Sequence, residues 1–302
     1  MSIPKLATAK VVLTILLCFL IKNTLAQEYD LNTSTNTYWP IPSADKPDYL
    51  EEISDPTFNV KLTRIVGDAG TSIPNLNENW RNVARHGYSV RQPWNADESI
   101  LYLGRHRTYN GSWGSGLFVN GETYEPISTS SSQPGGNEHR WHPTDPSLRL
   151  ILTDNAVKTW NFHTNETITL MSFSGYSDTS MGYTGNWSDD GNKIAMFATR
   201  NSDGKSVVFA LDTQNNVKYP DIDASSMNID FVSISPLGNY ILINANFGNG
   251  SDRTKIYDLN GNQVGPYWSE YARPSHFDMA IDQNGDEVAV GVDKSVNEGR
   301  VI

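Results

Sequence analysis

An all-β fold with internal repeats is predicted by three features of this 302-residue chain. First, two apolar strands around a tight polar turn occur five times, at a period of 44 to 48 residues. Second, a further apolar hairpin follows each copy but the last, so that a repeat offers four strands. Third, a period of this size with strand character throughout is the signature of a β-propeller, with one four-stranded blade per repeat. The copies align on Ser99, Ser147, Gly191, Gly238 and Gly285.

The strands within the repeats are apolar without clean alternation, which is typical of sheets that are buried on both faces. The second hairpins carry Asn or Gly at their turns, where both residues tolerate a positive φ. The first hairpins span residues 92–105, 139–154, 184–200, 231–246 and 276–293, and the second hairpins span 116–128, 156–172, 206–223 and 254–269. Loops over 130–138 and 175–181 precede first hairpins, and we expect them on the rim of the propeller where ligands bind.

The two ends of the chain lie outside this repeat pattern. Residues 1–26 are typical of a secretory signal peptide, because Lys5 and Lys10 precede an apolar run and small residues end at Ala26. Residues 27–57 form a polar lead-in, and 58–302 form the propeller domain. We expect residues 58–66 to be a first strand that pairs with the last blade and closes a ring. The last four residues resemble the start of another strand, which predicts a truncated version of a longer protein.

The charge and the cysteine content exclude several classes of function. The formal net charge is −11, and removal of a signal peptide with three lysines and no acidic residue takes it to −14. Such a protein is a poor binder of nucleic acid or anionic membranes. The single cysteine, Cys18, lies in the signal peptide, so the mature chain has no disulfide. We therefore expect a secreted protein, extracellular or periplasmic, that does not insert into a membrane.

Positive charge is concentrated between Arg81 and Arg107 in this otherwise acidic chain. One interpretation is ordinary scatter over a solvated surface, and the other is a basic funnel for an anionic substrate. No glycine-rich phosphate loop, zinc-protease helix, Gly-x-Ser-x-Gly elbow or calcium loop occurs, so those functions lack support. The cluster consists of Arg81, Arg85, Arg91, Arg105 and Arg107, with His86 and His106.

Four segments resemble a known family. They are 55–65 (DPTFNVKLTRI), 86–97 (HGYSVRQPWNAD), 182–200 (GYTGNWSDDGNKIAMFATR) and 274–287 (PSHFDMAIDQNGDE). These segments are similar to the β-propeller polysaccharide lyases, in particular the secreted ulvan lyases of polysaccharide lyase families 24 and 25. Oligogalacturonate lyases share the blade pattern. The resemblance implies a seven-bladed propeller, of which about five blades are visible in this chain.

The resemblance implies β-elimination at a uronic acid in an anionic, ulvan-like polysaccharide. This reaction needs a cation for the carboxylate, a base for the C5 proton and an acid for the leaving oxygen. The matching residues are His86 and Tyr183 for proton transfer and Arg200 for the carboxylate. Each also has a structural interpretation, as a surface histidine, a rim aromatic and a strand-end charge. Arg105 and His106 are candidate substrate contacts, because paired donors suit sulfate or carboxylate groups.

A divalent metal, structural zinc, calcium or manganese, is the one cofactor that the sequence suggests. His276 and Asp278 could supply part of such a site, because imidazole and carboxylate suit zinc or manganese. Two further histidines and the repeated tryptophans are assigned to packing between blades. These packing residues are His139, His142, Trp94, Trp141 and Trp187.

Two alternative functions stay open. A non-catalytic propeller could bind glycans or protein partners through its rim, because propellers host many unrelated functions. A hydrolase could use two carboxylates, although the candidate acids lie at hairpin turns where acidic residues have structural reasons to be. Those acids are Asp97, Asp145, Asp189, Asp190 and Asp282.

Overall fold

Strands dominate the part of the chain that the computed structural model describes, which is residues 45–55, 58–88, 91–111, 113–246, 252–264, 274–293 and 300–301. Within those ranges there are 23 strands and one short 3₁₀ helix, and no α-helix. The prediction of an all-β fold is therefore confirmed. The predicted signal peptide and most of the predicted lead-in lie outside the described residues. None of the helical structure in these ranges is long and apolar enough to cross a bilayer.

The first two strands form a hairpin of their own ahead of the repeats. Strand β1 (Glu52–Ser54) pairs antiparallel with β2 (Lys61–Thr63), and the Asp55 carboxylate accepts the Phe58 N–H at 2.7 Å in the connection. The strand predicted over 58–66 is therefore corrected in its length, and its pairing with the last blade stays a prediction. The strand is shorter and pairs with the segment just before it, because a short loop closes at little entropic cost.

The first repeat departs most from the four-stranded plan. It contains β3 (Val83–Arg85), β4 (Ile100–Leu103), β5 (Arg105–Arg107), β6 (Leu117–Asn120) and β7 (Pro126–Thr129). Strands β4, β6 and β7 form one sheet, whereas β5 pairs with β3 in a separate two-stranded sheet. The segment at Trp94 takes the place of a first strand in the sheet of β4, β6 and β7, because it pairs with Leu101 through an isolated bridge. The 3₁₀ helix Ser130–Ser132 leads to the second repeat.

The later repeats are antiparallel meanders that match the predicted hairpins. The second repeat contains β8 (Glu138–Trp141), β9 (Leu148–Leu152), β10 (Ala156–Asn161) and β11 (Thr167–Ser172), and the third contains β12 (Tyr176–Ser180), β13 (Lys193–Arg200), β14 (Lys205–Asp212), β15 (Val217–Lys218) and β16 (Ile222–Asp223). The fourth contains β17 (Asn228–Ile234), β18 (Tyr240–Asn246), β19 (Asp252–Asp258) and β20 (Gln263–Val264), and the fifth contains β21 (Pro274–Ile281), β22 (Glu287–Asp293) and β23 (Arg300–Val301). The predicted loop over 175–181 is corrected, because most of it is strand β12 with a bulge after Ser177.

The hydrophobic core lies between successive sheets. Alternate residues of β14 belong to two different clusters: Val207 and Phe209 pack with residues of the second repeat, whereas Val208 and Ala210 pack with residues of the fourth. A strand with both faces buried needs apolar residues at successive positions. This explains why the strands lack clean alternation, as the sequence predicted.

We call the first strand of each repeat its lead strand. The lead strands of neighbouring repeats lie side by side, because the Val232 N–H donates to the Met181 carbonyl at 3.2 Å. The indole N–H of Trp141 similarly donates to the carbonyl of Pro93 at 2.9 Å. The lead strands therefore bring distant parts of the sequence to one region. Functional residues are expected there, at the place where the repeats converge.

Candidate functional site

A cavity of about 610 Å³ lies where the lead strands of the first four repeats meet. Its volume is within the range of small-ligand sites. We call it the basic cavity. It is lined by Gly87, Tyr88, Arg91, Gln92, Pro93, Tyr102, Gly104, Arg105, Trp113, Asn137, Glu138, His139, Arg140, Trp141, Arg149, Tyr183, Thr184 and Asp230.

Four arginines give this cavity its charge: Arg91, Arg105, Arg140 and Arg149. The acidic residues among the described lining are Glu138 and Asp230. Burial lowers the pKa of Arg140 and that of Arg149 to about 10, so both guanidinium groups stay charged at neutral pH. An excess of fixed positive charge in an acidic protein favours an anionic ligand at this place. The predicted basic cluster thus contributes Arg91 and Arg105 to one cavity.

Tyr183 lies in the turn that follows β12, the lead strand of the third repeat, and lines this cavity. Its side chain is 60% exposed, and its backbone has a left-handed φ of 65° directly after Gly182 at 75°. Such a φ is uncommon for a bulky residue and is often found at functional sites. The Nε of Arg91 donates to the carbonyl of Tyr183 at 2.8 Å, and the guanidinium carbon lies 5.3 Å from the ring centroid. Arg91 therefore contacts both the backbone and the ring of Tyr183.

Glu138 and Arg140 form a buried ion pair in the wall of the cavity. Their side chains are 1% and 7% exposed, and an oxygen of Glu138 lies 2.9 Å from a terminal nitrogen of Arg140. The other carboxylate oxygen accepts the N–H groups of Met181 and Tyr183 at 2.8 and 2.9 Å. The hydroxyl of Ser180 donates to the same oxygen at 3.0 Å. The ion pair therefore anchors the segment that carries Tyr183.

Arg149 is buried among aromatic rings. Its guanidinium carbon lies 4.3 Å from the Tyr102 centroid and 5.1 Å from the Trp141 centroid, and one terminal nitrogen donates to the side chain of Gln133. Over the described ranges, no carboxylate pairs with Arg149, and its Nε is buried without a hydrogen-bond partner. A buried cation without a counter-ion is costly. The cost favours a site in which a bound anion completes the charge balance.

His139 also lines the cavity, although the sequence assigned it to packing. Its Nε2 donates to the carbonyl of Pro134 at 2.9 Å, since a carbonyl can only accept. Burial, together with the charge of Arg149, lowers the pKa of His139 to about 4. The ring is therefore neutral at physiological pH, and Nδ1 carries the lone pair. His142, the second histidine assigned to packing, is half-buried and accepts the N–H of Asp145 at 3.1 Å.

His86 flanks the basic cavity. The structure places its exposed side chain next to Gly87 and Tyr88, which line the cavity. His86 itself is not among the lining residues, so its assignment to proton transfer stays a prediction.

The predicted association of Arg200 with Tyr183 is corrected by the strand register. Arg200 ends β13 and lies opposite Tyr176, at the other end of the lead strand from Tyr183. Its guanidinium binds Asp203 at 2.6 Å and Asp221 at 3.0 Å. The structural interpretation of Arg200, a strand-end charge paired with carboxylates, is the one that fits. Arg91 occupies the position beside Tyr183 instead.

The prediction that His106 contacts substrate is also corrected. His106 is fully buried, accepts the backbone N–H of Arg81 at 3.2 Å and donates to the carbonyl of Ser115 at 3.1 Å. Successive side chains of a strand point to opposite faces. Arg105 therefore faces the cavity, and its neighbour His106 packs edge-on against Trp80.

The predicted metal pair, His276 and Asp278, has a described side chain only at Asp278, so this metal site stays a prediction. The Asp278 carboxylate accepts from Asn186 and from the Met279 N–H, both at 2.8 Å, and the side chain of His276 lies outside the described residues. Within the described ranges, no group of three His, Cys, Asp or Glu side chains could hold a metal ion. Asp278 instead lines a second cavity of about 400 Å³, with Asp189, at the turn end of the lead strands.

The carboxylates considered for a hydrolase serve mainly as turn caps. Asp97 accepts from Ser99, Asp190 from Ser188 and Asn192, and Asp282 from Asn284 and Asp286. Asp145 accepts the N–H of Ser147 at 2.9 Å. Burial, followed by the charges of Glu287 and Asp190, raises the pKa of Asp189. The described acids therefore give little support to a two-carboxylate hydrolase.

Comparison with solved structures defines the class of fold. No protein-family model matches the chain, and no curated protein matches its sequence. Structures of propeller proteins do match, and they identify the arrangement of the repeats as propeller-like. The predicted fold class is confirmed at that level.

Two of the matching structures are oligogalacturonate lyases. One, in complex with manganese, covers 85% of this chain and 72% of its own at 12% identity, with a TM-score of 0.54. The other, from Vibrio parahaemolyticus, covers 83% and 71% at 12% identity, with a TM-score of 0.53. At such identities the likeness concerns the fold. The manganese belongs to that neighbour, and the described residues of this chain do not offer a fitting ligand set.

Proposed function

We propose that the chain is a secreted polysaccharide lyase that cleaves a uronic-acid-containing polysaccharide by β-elimination in the basic cavity. The observation that carries the proposal is the meeting of four arginines and Tyr183 in one cavity with few acidic neighbours. The likeness to lyases of the same architecture supports it. The narrower assignment to ulvan follows from the sequence resemblance.

Arg91 and Arg105 are the cations best suited to the uronate carboxylate. Their charges interact, as the lowered pKa of Arg91 reflects: burial is its largest cause, and the charge of Arg105 contributes in the same direction. Neutralising the carboxylate makes the C5 proton more acidic, and fixed donors stabilise the charge that develops as the proton leaves. This is the role that the resemblance gave to Arg200.

Tyr183 is the residue that we assign to proton transfer. In this proposal Tyr183, with the guanidinium carbon of Arg91 5.3 Å from its ring centroid, is the base that takes the proton from C5. The electron pair of the C5–H bond forms the C4–C5 double bond, and the bond from C4 to the leaving oxygen breaks. The same phenol, or His86 at the edge of the cavity, returns a proton to that oxygen. His139 offers a neutral lone pair at Nδ1 as a second acceptor.

The experiment is incubation of the protein with ulvan, polygalacturonate and other uronate polymers. A rise in ultraviolet absorbance from the new double bond is the expected result. Parallel reactions with a chelator and with added manganese separate metal dependence from the reaction itself. Absence of the signal on every uronate polymer would overturn the proposal.

A glycan-binding protein without catalysis is the second candidate, and one observation favours it. Trp113 at the edge of the basic cavity is 61% exposed, with Arg107 over its ring at 5.5 Å. Exposed aromatic rings stack on sugars whether or not a reaction follows. Binding of a uronate polymer that persists in Tyr183→Phe, without bond cleavage by the unaltered protein, would favour this candidate.

A further inference from the structure

We propose that Glu138 is a positioning residue that holds Tyr183 and Arg91 in a single reactive arrangement. This inference rests on the proposed function. The carboxylate does not act on substrate in this proposal. It acts through the backbone of Tyr183, and its own charge is balanced by Arg140.

One oxygen of the Glu138 carboxylate carries its hydrogen bonds to the segment of Tyr183. This oxygen accepts three hydrogen bonds, from Ser180, Met181 and Tyr183, at 2.8 to 3.0 Å. The other oxygen faces Arg140 at 2.9 Å. All three donors come from the third repeat, whereas Glu138 belongs to the second. The contact therefore fixes the lead strand of one repeat against that of another.

The segment held in this way contains one strained residue, Tyr183. Gly182 and Tyr183 both have left-handed φ values, of 75° and 65°. A Cβ at position 182 would collide with the carbonyl oxygen of Asp230, so the chain passes close to the fourth repeat. Strained backbone persists only where surrounding contacts over-determine it. The hydrogen bonds to Glu138 supply such contacts.

The backbone of Tyr183 is bound on both sides by charged groups. Its N–H donates to Glu138 at 2.9 Å, and its carbonyl accepts from Arg91 at 2.8 Å. Rotation of this residue out of the left-handed region would break both bonds. The position of Arg91 is therefore coupled to Glu138, although the two side chains share no hydrogen bond among the described contacts. Loss of Glu138 would displace the phenol and the guanidinium together.

The variant that tests this inference is Glu138→Gln. If its amide oxygen accepts from Ser180, Met181 and Tyr183, its NH₂ group faces the guanidinium of Arg140, which is also a donor. In the opposite orientation the NH₂ group faces the three donors, and those hydrogen bonds are lost. We expect kcat to fall about 100-fold, the order of loss associated with a misplaced catalytic group. We expect KM to change much less, because Arg105 still binds the carboxylate. Ser180→Ala removes one of the three bonds and should give a smaller loss in a protein that folds normally.

Glu287→Gln is the matched control. Glu287 also braces a turn of a neighbouring repeat, by accepting from the Leu237 N–H at 2.6 Å and from Asn239 at 3.0 Å. It does not line the basic cavity. A general loss of stability would appear in both glutamine variants, whereas a loss of kcat is expected only at position 138.

Two further measurements separate positioning from a merely structural role. In a Tyr183→Phe background, Glu138→Gln should cause a smaller loss than in the unaltered protein, since the phenolic hydroxyl is already absent and only the displacement of Arg91 remains. A crystal structure of Glu138→Gln should show Tyr183 outside the left-handed region and the bond from Arg91 broken. Additive losses, or an unchanged Tyr183 in that structure, would overturn the inference. The crystal structure decides this even if the unaltered protein cleaves no uronate polymer, a result that would overturn only the proposed function.

Discussion

Two arginine–tyrosine pairs in the third repeat and its surroundings have opposite electrostatic settings. Arg200 and Tyr176 lie opposite each other in the sheet, and both bind Asp221. Although burial alone raises the pKa of Asp221, hydrogen bonds from Lys218, Tyr176 and Arg200 lower it below its usual value. The charge of Arg200 is thus satisfied within the protein. Arg91 and Tyr183, by contrast, lie in a cavity where positive charge exceeds negative charge.

The difference shows why residue type and spacing were insufficient to assign the arginine. Both arginines are near a tyrosine, and both are permanently charged. What distinguishes them is the supply of carboxylates: Asp203, in the turn directly after Arg200, and Asp221, between β15 and β16, both bind Arg200. A guanidinium that is already paired has little to offer an anionic substrate, whereas an unbalanced one does.

The largest effect is expected for Tyr183→Phe. Loss of the phenolic hydroxyl should lower kcat by about 10²- to 10⁴-fold, the usual contribution of a positioned acid–base group. The initial rate of double-bond formation by ultraviolet absorbance measures it. Tyr176→Phe is the control: it removes a hydroxyl that binds Asp221 at 2.9 Å and should lower the unfolding midpoint without a comparable loss of kcat. Equal kinetic losses in the two variants would contradict the assignment of Tyr183.

The second effect concerns the two arginines. Arg91→Gln removes both the charge beside Tyr183 and the bond to its carbonyl, and should lower kcat/KM by about 10²- to 10³-fold. Arg200→Gln leaves the Asp203 and Asp221 carboxylates without their shared partner, so it should lower thermal stability and leave kcat/KM near the starting value. Steady-state kinetics and thermal unfolding of both variants decide between these outcomes. If Arg200→Gln is the kinetically damaged variant, the sequence resemblance assigned the cation correctly.

Much of the fold could be predicted from the sequence, because the strand pattern recurs in five repeats. The register of the hairpins follows from their turns. The strand at 58–66 was less predictable, since a single short strand does not reveal which neighbour it pairs with. Pairing to the preceding segment satisfies its backbone at lower entropic cost.

The candidate site could be predicted only in part. Arg91 and Arg105 belong to an arginine cluster that is visible in the sequence. Arg149 was missed, but a signal existed: it lies opposite Trp141, at the position where the other repeats carry residues such as Leu101 and Ile194. A charge in an otherwise apolar column of repeats indicates a special environment. The contact of Glu138 with Tyr183 joins two repeats, and no local pattern could have shown it.

The third effect is the dependence of stability on pH, which is expected from His139 in the basic cavity and not from Asp221 beside Arg200. The pKa of His139 is lowered to about 4 in the folded protein, from an ordinary value of about 6.5 for histidine in an unfolded chain. When the pH falls below about 6.5, the unfolded chain therefore binds more protons than the folded protein. Stability should therefore fall as pH decreases, by about 2 kcal/mol between pH 7 and pH 5 from this residue. The pKa of Asp221 lies below its usual value, so that carboxylate stays ionised over the same interval.

Urea unfolding at the two pH values measures this contribution. His139→Gln should reduce the difference in unfolding free energy between pH 7 and pH 5. Replacement of the exposed His163 by Gln is the matched surface control. Burial also lowers the pKa of His106, so this residue acts in the same direction. Part of the pH dependence of stability should therefore remain in the His139→Gln protein. An identical slope in the His139→Gln protein would contradict a neutral His139 in the basic cavity.

The smallest effect is expected at the edge of the cavity, for Trp113→Ala. The ring lies at the cavity wall and should contact a sugar next to the one that reacts. Loss of one stacking contact of about 1 kcal/mol corresponds to a roughly fivefold increase in KM. Because Trp113 does not touch the reacting atoms in this proposal, kcat should stay nearly constant. Tyr109→Ala is the control, since Tyr109 is 80% exposed and does not line the cavity. A fall in kcat in Trp113→Ala, or an equal rise in KM in Tyr109→Ala, would contradict this assignment of Trp113. The bound polymer would then follow a different path from the cavity that holds Arg91.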